Sequence, residues 1–276
     1  MTADPVPSAL RGRWWLAAVV ALLSVTAVAV VMADALSPAM GALWLLVTTV
    51  PLGYTLWLLW RSLALNRPPE ADARTDTLPD GGTAVYPTLG LANGVTLGRG
   101  WLYAGVAGFL LVVPPVDGVW RWLPALWYGG GAALDWVDGL VARRIGRRTV
   151  LGGRLDLAFD TMGFLVAPVV AVAWGALPVW YLSVSAARYC YRFGCWLHER
   201  RGGTVGDLPE SRLRRPLAGL QMAVVALALL PVVPPSLAWP AATLAMVPTL
   251  AVFGRDFLAV TGRLGVPNPQ DSVNLQ

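Results

Sequence analysis

Runs of about 20 apolar residues recur along the chain, and that is the length an α-helix needs to cross the hydrocarbon core of a bilayer. They fall near 14–35, 41–61, 100–115, 119–141, 154–176, 178–197, 216–234 and 238–260. With 56% of the residues hydrophobic and only 13% charged, water is not the main solvent of this chain. The expected fold is therefore all-α: a polytopic transmembrane helical bundle with eight spans.

The basic residues are all arginines, and the formal charge of +5 raises nucleic acid as a partner. Their distribution excludes it, because they sit in short clusters between apolar runs rather than along one groove. Arg11 and Arg13 precede the first run, Arg61, Arg67 and Arg74 follow the second, and Arg99 precedes the third. Arg143, Arg144, Arg147, Arg148 and Arg154 lie between the fourth and fifth, Arg200 to Arg215 between the sixth and seventh, and Arg263 after the eighth. The alternate loops, near 36–40, 114–118, 176–178 and 234–238, hold no Arg, with only Arg121 close by. Cytoplasmic loops retain basic residues, so this alternation predicts both chain ends and the Arg-rich loops on the cytoplasmic side of the cell membrane.

The first run also admits a reading as a secretory signal, with Ala33-Asp34-Ala35 as a small-x-small cleavage site. Its length favours a retained helix, and the second run would enter from outside in either case. Residues 67–82, RPPEADARTDTLPDGG, cannot bury apolar surface and read as a flexible linker. The expected organisation is a two-helix extension at 1–65, a cytoplasmic linker at 66–90, a six-helix core at 91–262 and a cytoplasmic tail at 263–276. Cys190 and Cys195 match no zinc or redox spacing and read as packing residues. His198 is the only histidine and reads as a loop-end residue near the membrane surface.

Carboxylates inside apolar runs are costly and mark function. Asp135 and Asp138 are three apart at the end of the fourth run, and Asp156 and Asp160 are four apart at the start of the fifth, so each pair shares a helix face. A short basic turn joins the two helices and brings the pairs to one depth, just inside the inner leaflet. Four carboxylates at close quarters stay ionised only with a counter-charge. Oxygen-only ligands select hard cations, Mg2+ or Mn2+ with Ca2+ also open, and two bridged ions suit an in-line displacement at phosphorus. Gly139, Ala142 and Gly152 are small residues beside the aspartates where a flat ligand can approach the backbone, and Arg143 can grip phosphate oxygens bidentately. Arg147 and Arg148 read as anchors to anionic headgroups.

Taken in order, Asp135-x2-Asp138-Gly139-x2-Ala142-Arg143-x8-Gly152-x3-Asp156-x3-Asp160 resembles the signature of the CDP-alcohol phosphatidyltransferase family, with all eight fixed residues in place over 26 positions. The resemblance implies that Asp135, Asp138, Asp156 and Asp160 are metal ligands and that Asp160 is also the general base for the acceptor hydroxyl. It further implies that Gly139, Ala142, Arg143 and Gly152 bind CDP, with the Thr149 hydroxyl near the diphosphate. Asn93-x2-Thr96-x2-Arg99 resembles the family's stretch before its first core helix, which helps hold the nucleotide; a helix cap followed by a cytoplasmic Arg is the alternative. The activity implied is transfer of a phosphatidyl-type group from a CDP-linked lipid to a small alcohol, releasing CMP. A homodimer among membrane lipids is the assembly implied. The two N-terminal helices lie outside the resemblance.

Arg188 and Arg192 are four apart on one face of the sixth run, and with Arg212, Arg214 and Arg215, and Arg255 beyond, they read as a basic pocket for a phosphorylated polyol such as glycerol phosphate or inositol phosphate. The alternative is that Arg188 and Arg192 pair with core carboxylates or snorkel, while 212–215 is topological charge. Other readings are a soluble CDP-alcohol donor with a lipid alcohol as acceptor, an ion-coupled transporter and a membrane scaffold without catalysis. A transporter would place its carboxylates near mid-bilayer on broken helices, and a scaffold would not need the full set of aspartates.

Overall fold

A computed structural model describes residues 6–69, 85–145 and 148–263, with the side chains of 136–145 outside the described set. The fold is an all-α helical bundle, with no strand among the described residues. Its eight helices are α1 (Ser8–Ala35), α2 (Pro38–Ser62), α3 (Gly90–Gly108), α4 (Leu123–Ile145), α5 (Val150–Ala173), α6 (Leu182–Arg200), α7 (Arg214–Ala228) and α8 (Pro235–Val260). Most of the linker lies outside the described residues.

Eight helices match the eight apolar runs in number, but they are not equivalent. Among the described residues four segments are long and apolar enough to cross a membrane: Ser8–Ala35, Pro38–Leu65, Val150–Ala173 and Pro235–Val260. The other helices fall short: α7 has only 15 residues, and α3, α4 and α6 are diluted by Gly, Asp or Arg. Among them α3 buries Asn93, Thr96 and Arg99 and α7 buries Gln221, so apolar length overstates how uniform the bundle is. The third run also moves. It was expected at 100–115, but α3 begins at Gly90 and ends at Gly108. Its first half has a polar face, Asn93, Thr96 and Arg99, that is buried against protein rather than lipid, and hydropathy alone does not register such a turn.

Helices α1 and α2 form a tight hairpin. The Ser37 hydroxyl caps α2 by accepting from the Met40 amide at 3.2 Å, Pro38 follows at the first turn, and Gly41 lets α2 pass against Ala29 and Ala33 of α1. α2 then packs on α3, where the Trp44 indole donates to the Gly105 carbonyl at 3.1 Å.

The centre of the bundle is α3. Among the described residues it packs against both α4 and α5 far more than these two pack on each other. The basic turn was expected to make α4 and α5 direct neighbours; over the described residues α3 wedges between them, while their carboxylates still meet in one cluster. Glycines explain the fit: a Cβ at Gly131 of α4 would lie 2.5 Å from the Tyr103 ring, and one at Gly163 of α5 would lie 2.8 Å from it. Tyr103 of α3 fills the slot that these two glycines leave. Gly100 likewise admits the Phe159 ring of α5, whose atoms would lie 2.9 Å from a Cβ there.

Candidate metal and transfer site

One turn from Tyr103 along α3 is Arg99, and it occupies the matching slot among the aspartates. Gly131 precedes Asp135 by four residues and Gly163 follows Asp160 by three, so each glycine shares a face with a carboxylate. The result is a layered contact, with the tyrosine between glycines and the arginine between aspartates. Arg99 Nη1 lies 2.9 Å from Asp135 Oδ1 and 2.5 Å from Asp156 Oδ1, while Nη2 lies 2.5 Å from Asp160 Oδ1. The Arg99 side chain is 0% exposed, whereas those of Asp135, Asp156 and Asp160 are 42%, 44% and 32% exposed. The guanidinium therefore forms the floor of the site and the carboxylates form its open rim.

Ligand oxygens from Asp135, Asp156 and Asp160 all lie within 4.8 Å of one another. Three carboxylates against one guanidinium leave two negative charges uncompensated. An all-oxygen donor set with that residual charge fits a hard divalent cation such as Mg2+ or Mn2+. Asp138, Gly139, Ala142 and Arg143 belong to α4, but their side chains lie outside the described residues. Both helices run on past the aspartates: Asp135 is ten residues before the end of α4 and Asp160 ten after the start of α5. At 1.5 Å per residue these are roughly 15 Å from the helix ends, deeper along the helices than the apolar runs implied.

Three of the residues singled out for the nucleotide, Asn93, Thr149 and Gly152, meet at the start of α5. Thr149 is the N-cap of α5, and its hydroxyl accepts from the Gly152 amide at 2.9 Å. Asn93 Nδ2 is 3.2 Å from the same hydroxyl, and a Cβ on Gly152 would lie 2.6 Å from Asn93 Oδ1. The smallness of Gly152 thus serves a side chain of the protein, since Asn93 is what approaches its backbone. Thr96 is buried and donates to the Ala92 carbonyl at 3.1 Å. Asn93, Thr96 and Arg99 lie inside α3 rather than before it.

The predicted acceptor arginines separate. Arg188 lines a cavity of about 300 Å3 between α5, α6, α7 and α8, and its Nη1 donates to the Thr161 hydroxyl at 2.7 Å. Thr161 follows Asp160 in α5, so one helix contributes to both the cavity and the carboxylate cluster, although no site aspartate lines the cavity. Arg192, Arg212 and Arg215 are exposed and are not among its lining residues; Arg214 is. Arg214 Nε donates to Asp256 Oδ2 at 2.8 Å, and Arg255 Nη2 to Asp256 Oδ1 at 2.7 Å. Asp256 is only 4% exposed. It was missed in the sequence although it carried a readable signal, a carboxylate inside the eighth apolar run. Cys190 is exposed rather than packed, Cys195 is half-buried, and both are free thiols.

A family model described as CDP-alcohol phosphatidyltransferase matches residues 89–253, more than half of the chain and all of the site just described except Arg255 and Asp256. No curated protein and no solved structure matches the chain.

Proposed function

The chain belongs to the CDP-alcohol phosphatidyltransferase family, and we propose that it moves a phosphatidyl-type group from a CDP-linked lipid to a small alcohol, releasing CMP. The observation that carries this reading is the set of ligand oxygens from Asp135, Asp156 and Asp160 within 4.8 Å of one another inside the family-matching segment. Asp138 completes the ligand set. Asn93, Thr96, Gly139, Ala142, Arg143, Thr149 and Gly152 hold the CDP moiety. The Arg-rich turn between α4 and α5, against connections at the other end whose single Arg is Arg121, supports a site at the cytoplasmic face of the cell membrane.

In the proposed reaction the acceptor oxygen attacks the β-phosphorus, the bond from that phosphorus to the oxygen bridging to CMP breaks, and the hydroxyl proton passes to the Asp160 carboxylate. Asp135, Asp138, Asp156 and Asp160 would hold divalent cations, which would supply positive charge against the diphosphate and the departing CMP. Arg99 holds Asp135, Asp156 and Asp160 from behind, so the rim keeps its shape while substrates exchange. The acceptor enters from the cavity that adjoins Thr161.

Arg188 supports a phosphorylated polyol such as glycerol phosphate or inositol phosphate as the acceptor. Arg188→Gln is expected to raise the KM for such an acceptor about tenfold with the donor KM unchanged, because it removes a charged donor to phosphate while leaving the nucleotide residues intact. Steady-state kinetics on the purified protein checks this, and an unchanged acceptor KM removes Arg188 from the pocket. A second reading, a soluble CDP-alcohol donor with a lipid alcohol acceptor, is favoured by one observation: Asp256 neutralises Arg214, which leaves the cavity less basic than the sequence suggested. Comparing a CDP-linked lipid with CDP-choline as the source of CMP separates the two.

A further inference from the structure

Asn66 follows the short 3-10 turn at the end of α2 and is 0% exposed, although it begins the polar stretch that reads as a linker. Its side chain is fully committed. Nδ2 donates to the Tyr86 carbonyl at 3.0 Å and to the Thr88 carbonyl at 2.9 Å, and Oδ1 accepts from Asn93 Nδ2 at 3.2 Å. Its backbone carbonyl accepts from the Tyr86 amide at 2.8 Å. One residue on, the Arg67 carbonyl accepts from the Val150 amide at 3.0 Å, in the first turn of α5. A single dipeptide thus joins the end of α2, the returning chain before α3, the buried face of α3 and the start of α5.

The hydrogen-bond inventory fixes orientations along this chain of contacts. An amide nitrogen has two hydrogens, and two carbonyls take both from Asn66, so its oxygen must face Asn93. That oxygen then sets which way Asn93 points. With Nδ2 of Asn93 directed at Asn66, its Oδ1 faces Gly152 and lies 3.3 Å from the Thr149 hydroxyl, which can donate to it. Just after Thr88, Gly90 takes a φ of 76°, a left-handed turn that a side chain would resist and that swings the chain from the Asn66 clamp into α3.

We infer that Asn66, outside the family-matching segment, is a positioning residue that fixes the Asn93 amide for the nucleotide, and that through it the N-terminal helix pair is coupled to the transfer site. The inference rests on Asn93 belonging to the CDP-binding set proposed above. It predicts non-additivity, since a group that acts only through Asn93 has nothing further to lose once Asn93 is gone.

The test is the affinity of the purified full-length chain for CDP in the presence of Mg2+, measured by calorimetry on four forms: wild type, Asn66→Ala, Asn93→Ala and the double variant. Asn66→Ala is expected to weaken CDP about tenfold, as Asn93→Ala does, with the double variant no weaker than about twofold below Asn93→Ala. Asn66→Ala binding CDP as the wild type does, or effects that multiply in the double variant, would overturn the inference while leaving the function standing. A wild type that binds no CDP would overturn the function reading and this inference together. If Asn66→Ala does not fold, Asn66→Ser decides in its place: it keeps a polar group in the pocket but is too short to reach Asn93, and the same tenfold loss is expected.

Discussion

Replacing Asp160 by asparagine is expected to lower the rate of transfer about 1,000-fold, in the range a positioned general base contributes, with folding and membrane insertion retained. The amide keeps the shape of the carboxylate and can still accept from Arg99 through its oxygen, so the 2.5 Å contact at Nη2 survives. What is lost is the basic oxygen for the acceptor proton and one charged ligand. Removing one of three like charges around a single guanidinium also relieves repulsion, so the melting temperature should hold or rise. CMP release and thermal unfolding, measured on the same preparation, separate the two effects. Substantial transfer by Asp160→Asn would remove Asp160 from the chemistry.

The largest expected effect on stability is at Arg99. Its side chain is fully buried and meets three carboxylates, so Arg99→Gln leaves them facing one another without the charge that holds them together. Breaking a buried ion pair from one side costs about 3 kcal/mol or more, and the partial exposure of the aspartates sets the expectation at the lower end, about 3 kcal/mol. Lysine should recover only part of this. Nη1 serves Asp135 and Asp156 while Nη2 serves Asp160, and one ammonium cannot reproduce that fork. A divalent cation bound at the rim should stabilise the Gln variant more than the wild type, because binding to the folded state alone adds stability in proportion to its affinity. Thermal unfolding with and without Mg2+ reads both effects, and a Gln variant that melts like the wild type would show that Arg99 does not hold the cluster.

The four aspartates were legible in the sequence for two physical reasons. Carboxylates are rare in apolar runs, and spacings of three and four put each pair on one helix face. How they are assembled was not legible. The connecting turn suggested that α4 and α5 meet directly, but Arg99 and Tyr103 of α3 lie between them, and the glycines that admit Tyr103 become informative only once the three helices are in contact. Hydropathy placed the start of the third helix about ten residues late because Asn93, Thr96 and Arg99 bury their polar atoms against protein, which a hydropathy window reads as loop. The basic pocket reduced to Arg188 and Arg214 for a related reason. Helical spacing gives the face of a residue on its own helix, but the side that its neighbours cover comes only from the packing. Asn66 was hidden most completely, since its partners Tyr86, Thr88 and Asn93 lie 20, 22 and 27 residues away across a segment whose composition reads as solvent-exposed chain.

The central claim is that the aspartate rim carries out transfer from a CDP-linked donor. Its most direct test is CMP release by the purified protein given one CDP-linked lipid, Mg2+ or Mn2+, and a panel of acceptors: glycerol phosphate, inositol phosphate and serine. The account predicts CMP release that requires both metal and acceptor, matches the new phospholipid mole for mole, and is fastest with a phosphorylated polyol. CMP release that is absent with every acceptor, or that proceeds undiminished after chelation of divalent metal, would contradict it.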